Sequence, residues 1–147
     1  MFKILAILVV ASIFFVNISN AKDGKLQDRL LEMKKIKMLE ELDLDSDKAD
    51  KLLVKFNSLE KQISESMDNL SESVDELEKV LSEKGNISSA LANTKLMHKQ
   101  LLDAQELKMS ELEKVLGAED FARYLVFEKN FREELNEKLK NRKRSRK

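Results

Sequence analysis

The sequence predicts an all-α protein: an elongated four-helix hairpin arrangement with a long, heptad-patterned central helix that pairs into a dimer. Three observations lead there. The 147 residues contain no proline and only three glycines, and Leu, Glu, Lys and Met, all good helix formers, abound. Apolar residues recur at spacings of three and four in the long segments beyond residue 25, the mark of amphipathic helices. Charged residues make up 37% and hydrophobic residues 42%, a balance that suits neither a disordered chain nor a membrane bundle. The length bounds the chain to one domain. Past residue 21 the aromatics are Phe56, Phe121, Tyr124, Phe127 and Phe131. The core is therefore expected to be mostly Leu, Ile, Val and Met, a thin seam and not a deep interior.

The first segment reads as separate from that fold. Lys3, the apolar run Ile4 to Val16 and the triplet Ser19-Asn20-Ala21 match the parts of a secretory signal peptide. Residues 1–21 are expected to be removed after Ala21, which places the protein in the periplasm with no stable membrane insertion. The alternative is a retained anchor, for which the run is short. Residues 22–140 form the helical domain, and 141–147 a basic C-terminal tail. With no cysteine in the chain, disulfides and lipid attachment through cysteine are both excluded, and stability must come from helix packing or a partner subunit.

The first helix is expected from Lys25 to Leu42, with Leu26, Leu30, Met33, Ile36 and Leu39 on one stripe. It ends in "LDLDSDKAD", where Asp45 or Ser46 can cap the next helix. The second helix, about Ser46 to Lys84, carries Ala49, Leu53, Phe56, Glu60, Ile63, Met67, Leu70, Val74, Leu77 and Leu81 at alternating steps of four and three. This is a heptad seam in which only Glu60 is polar. A helix of that length needs a partner lying along it, and Phe56, Ile63, Met67 and Leu70 are the expected dimer seam. "EKGNISS" at 83–89 should form a hairpin, with Gly85 as the left-handed cap and Asn86 or Ser88 capping the third helix. That helix is expected from Ile87 to Leu116, with apolar residues on two faces. The fourth starts after Gly117. At 100° per residue its Tyr124, Phe127, Phe131 and Leu135 share one face, with Phe121 beside it.

That aromatic face has two readings, a local core where the last helix packs back on the hairpin or an exposed platform for other chains. Catalysis is not expected. The inventory lacks cysteine, has the single histidine His98 and contains no G-x-S-x-G elbow. No metal or cofactor is expected either, since His98 is one ligand and not a site, and Met33, Met38, Met67, Met97 and Met109 are spread as packing groups are. Residues 138–147, "KLKNRKRSRK", hold seven basic and no acidic groups. Residues 22–137 hold 19 basic against 27 acidic, a net charge of −8. The basic end can be a solvated helix terminus or a contact for anionic lipid or acidic polypeptide; nucleic acid is not expected for an exported chain.

The leader, the all-α body and two helix-start motifs resemble the Spy/CpxP-like periplasmic proteins, whose hallmark is a repeated Leu-Thr-x-x-Gln. The counterparts here are Leu44-Asp45-Ser46-Asp47-Lys48 and Leu116-Gly117-Ala118-Glu119-Asp120. Neither keeps the Thr or the Gln. Both keep a Leu, a capping residue and polar residues before an apolar one, as in a capping box with a hydrophobic staple. The resemblance implies a hairpin that dimerises and acts either as an ATP-independent chaperone for unfolded or partly folded envelope proteins or as a regulator docking on one envelope sensor protein. A structural coiled-coil protein is the remaining class.

Overall fold

The computed structural model describes residues 24–144. The expected leader, 1–21, and the end of the basic tail, 145–147, lie outside the described residues. All the described elements are helical: α1 (Gly24–Leu42), α2 (Ser46–Ser82) and α3 (Ile87–Arg144). The two segments expected on either side of Gly117 are joined end to end in α3, interrupted by one non-helical residue, Gly117, at φ 76° and ψ 168°. That interruption turns the chain back on itself. The Lys108 amine lies 3.6 Å from the Glu128 carboxylate. In an unbroken helix those two positions would stand about 30 Å apart, far beyond the reach of two side chains.

Local chemistry sets the other ends. Asp43, in the left-handed region at φ 46°, closes α1, and its N–H bonds the Leu39 carbonyl at 3.2 Å. Asp45 caps α2, its carboxylate accepting from the Lys48 N–H at 2.9 Å. At the far end the left-handed residue is Lys84, at φ 54°, and not Gly85. The Gly85 N–H reaches back to the Val80 carbonyl at 2.9 Å and the Lys84 N–H to that of Leu81 at 3.4 Å. This is the Schellman pattern, one residue earlier than the glycine. Gly85 serves close approach instead: a Cβ there would meet the Val80 side chain at 3.3 Å. Asn86 caps α3 by accepting from the Ser89 N–H.

The molecule has a thick base and a thin arm. At about 1.5 Å per residue α2 is about 55 Å long, and α3 lies antiparallel to it from the hairpin down to Leu116. Around the base, Met38 and Leu42 of α1, Leu52, Phe56 and Leu59 of α2, and Leu112, Leu116, Tyr124 and Phe127 of α3 form one buried cluster. Above it the arm is only α2 against α3. The face of α2 that meets α3 keeps Phe56, Ile63, Leu70 and Leu77 of the expected seam and replaces its other column with the residues one position earlier. Leu52, Leu59 and Ser73 are buried, while Val74 and Leu81 are 46% and 54% exposed. The pattern that points inward is Leu52, Phe56, Leu59, Ile63, Ser66, Leu70, Ser73, Leu77 and Val80. α2 is apolar over a wider arc than one seam. One edge of that arc faces α3 along the whole arm, and the other, Leu53, Glu60, Met67, Val74 and Leu81, has a third layer to meet only at the base.

Candidate functional site

Two regions stand out, a charged and aromatic cluster in the base and an uncovered apolar flank on the arm. In the base, the polar break in the expected seam, Glu60, is the entry to a network that joins all three helices. Lys34 of α1 lies 2.8 Å from Glu128 and 3.6 Å from Glu60. Lys108 donates to Glu60 and sits 3.6 Å from Glu128. The Tyr124 hydroxyl donates to Glu128 at 2.5 Å. Positive and negative groups alternate, so the four charges cancel, and each leaves between 11 and 22% of its side chain exposed.

The aromatic rings complete the cluster. Both amines lie over the Phe56 ring, Lys34 at 5.4 Å and Lys108 at 5.0 Å from its centroid, and Lys108 is 5.9 Å from that of Tyr124. A ring face attracts a cation most where water is excluded. Burial alone would push the Glu128 carboxyl up, but the Lys34 and Lys108 amines overcome it and hold the group down at about 2. Burial likewise works against the Lys34 ammonium, and Glu128 and Glu60 outweigh it, so Lys34 is raised. Burial, with Glu128 adding to it, lifts the Tyr124 phenol well above its ordinary value. Among the described residues every buried side-chain nitrogen or oxygen has a partner. The network is thus a closed lock between α1, α2 and both parts of α3.

The four aromatics expected to share a face do so, in graded depth. Tyr124 and Phe127 are 1% exposed, while Phe121 and Phe131 are half-buried against the cluster. Phe121 stacks on Tyr124 with centroids 6.0 Å apart, and Phe127 meets Phe131 at 5.7 Å. Of the residues expected in a dimer seam, Phe56 is fully buried inside its own chain. Ile63, Met67 and Leu70 are half-buried along the hairpin. Phe56 is enclosed because α1 and the returned part of α3 cover that level of α2.

The two helix-start motifs meet. Leu44 packs on the core and Leu116 is buried. Lys48 of the first motif donates to the Leu116 carbonyl at 3.2 Å and to Asp120 at 2.7 Å in the second. Its amine therefore serves a carbonyl next to the break at Gly117, where the helical ladder cannot. Lys48 is raised by this bond to Asp120. On the arm, Val74, Leu81, Ile87, Leu91 and Leu96 are between 39 and 54% exposed. His98 is exposed, and the described residues contain no group of three or more His, Cys, Asp or Glu able to hold a metal ion. No described helix is long and apolar enough to cross a membrane.

Sequence reasoning finds Glu60 and the aromatics but misses Lys34, Lys108 and Glu128. Each of the three looks like an ordinary surface charge on its own helix. The available signal is Glu60 itself: a carboxylate at an apolar seam position requires a cation facing it. Comparison of the chain with protein-family models, curated proteins and solved structures finds no match.

Proposed function

We propose that this is a periplasmic protein related to the Spy/CpxP-like family, an ATP-independent chaperone or envelope-stress binding protein working as a dimer of four-helix hairpins. The observation that carries this reading is the arm. Its apolar flank of Val74, Leu81, Ile87 and Leu91 is 39–54% exposed, on a thin two-helix stem anchored in a separately packed base. Such a surface binds apolar segments with little sequence preference. The thinness of the stem gives it freedom to adapt. The burial of Tyr124 and Phe127 favours a packing role for the aromatic face and leaves the arm as the broader contact surface.

The test is suppression of aggregation, measured by light scattering, of several unrelated unfolding proteins by residues 22–147. Suppression that falls several-fold on changing Val74 and Leu81 together to Ser, with melting unchanged, is the expected result. No suppression of any client rejects the chaperone reading. A single stoichiometric partner captured by crosslinking would favour the regulator.

A further inference from the structure

A cleft of about 350 Å³ separates α1 from the terminal part of α3. Phe127 and Phe131 line it together with Asn130, and Lys37, Glu40, Glu41 and Glu134 complete its wall. Lys37 and Glu134 are bonded to each other across it at 2.5 Å. Lys37 is thus engaged, and Glu134 also takes Lys138 at 2.6 Å. Glu40 and Glu41 are exposed and form no ion pair among the described residues. The cleft therefore combines one half-buried ring, Phe131, seated on the buried Phe127, with a rim holding two carboxylates without an ion-pair partner among the described residues.

We propose that this cleft docks a client polypeptide through an apolar or aromatic side chain that neighbours a lysine or arginine. The half-buried Phe131 ring, backed by the buried Phe127, receives the apolar group, and Glu40 and Glu41 receive the adjacent cation. Charge selects the occupant: an acidic neighbour would meet two carboxylates and be repelled. The proposal rests on the client-binding reading of the arm, and it adds a second contact, at the base, with a chemical preference that the apolar arm does not have.

The experiment uses the full chain from residue 22 and three fluorescent, unstructured peptides of equal length, read by fluorescence anisotropy. One carries Phe flanked by Arg, one Phe flanked by Glu, and one Ser flanked by Arg. Binding should be tightest for the first. Glu40→Gln with Glu41→Gln should weaken it by about threefold to tenfold, since exposed ion pairs are individually weak. Melting should stay unchanged, and the Glu-flanked peptide, no longer repelled, should bind the Gln variant more tightly and not more weakly. Phe131→Leu, which keeps an apolar side chain, should lower affinity for the Phe peptides only. Equal affinity for the first two peptides, or an Arg–Phe peptide unaffected by the paired Gln substitutions, overturns the proposal. Aggregation suppression that persists in the Gln variant alongside such a result would leave the arm-based reading standing and remove only the cleft.

Discussion

Glu128 concentrates the physics of the base at one side chain. It is taken largely out of water, yet two amines and a tyrosine hydroxyl keep it ionised down to about 2. A carboxyl depressed in the folded state and ordinary when unfolded stabilises the fold above its unfolded value, about 4.5. That stabilisation is lost as pH falls from there through the folded value. We expect a contribution on the order of 3 kcal/mol at neutral pH. Glu128→Gln should therefore flatten stability between pH 4.5 and 2, and denaturant midpoints measured across that range check it. At neutral pH the same substitution should destabilise, because Lys34 and Lys108 lose a counter-charge and breaking a buried pair costs about 3–5 kcal/mol. An unchanged acid slope would mean that Glu128 is not the group that titrates. Lys34 behaves with the opposite sign: its raised value favours the fold at neutral pH and the benefit fades as pH rises through it.

Among the elements, α3 depends most on a single position. Gly117 sits at φ 76° and ψ 168°, a region almost closed to residues with a Cβ. Space is not the obstacle, since nothing lies within 4 Å of where that Cβ would be; the strain would be in the backbone. Gly117→Ala should cost about 1–3 kcal/mol if the turn is kept. If the turn is lost, α3 straightens, and Tyr124, Phe127 and Glu128 leave the cluster. Thermal melting separates wild type from variant, and near-ultraviolet circular dichroism at Tyr124 distinguishes the two outcomes. Equal melting with an unchanged tyrosine signal would show that the break tolerates a side chain. The hairpin end is less demanding, because Lys84 already adopts a left-handed conformation there.

For the whole molecule, base and arm should differ in stability. The base has three elements around a shared cluster and a charge network. The arm has two helices whose inner face includes Ser66 and Ser73, and the Ser73 hydroxyl turns back to its own Leu70 carbonyl. Thr94 adds one cross-link, donating to the Ser73 carbonyl at 3.1 Å. Little apolar surface is removed from water per turn, so local opening should be easier there. Native-state hydrogen exchange should find amides of about 66–100 exchanging through openings of clearly lower free energy than those of 52–60 and 108–128. Uniform protection over both regions would contradict the division.

Helix identity and most helix ends are legible in the sequence because they are local. α1 ends at the expected Leu42, α2 starts at the expected Ser46, and Asp45 caps it through a bond spanning three residues. The clustering of Phe121, Tyr124, Phe127 and Phe131 on one face follows from helical period alone. What depends on distant chain cannot be read. Heptad spacing locates an apolar arc on α2 but not the edge of it that α3 takes, since either edge satisfies the pattern. Gly85 is the residue type expected in the left-handed position, whereas Lys84 takes that conformation and Gly85 lies close against the Val80 side chain. Lys34, Lys108 and Glu128 carry no local sign that they converge. Only the return of α3 at Gly117 brings them within reach of Glu60, because Coulomb attraction depends on distance in space, which tertiary folding sets, and not on separation along the chain.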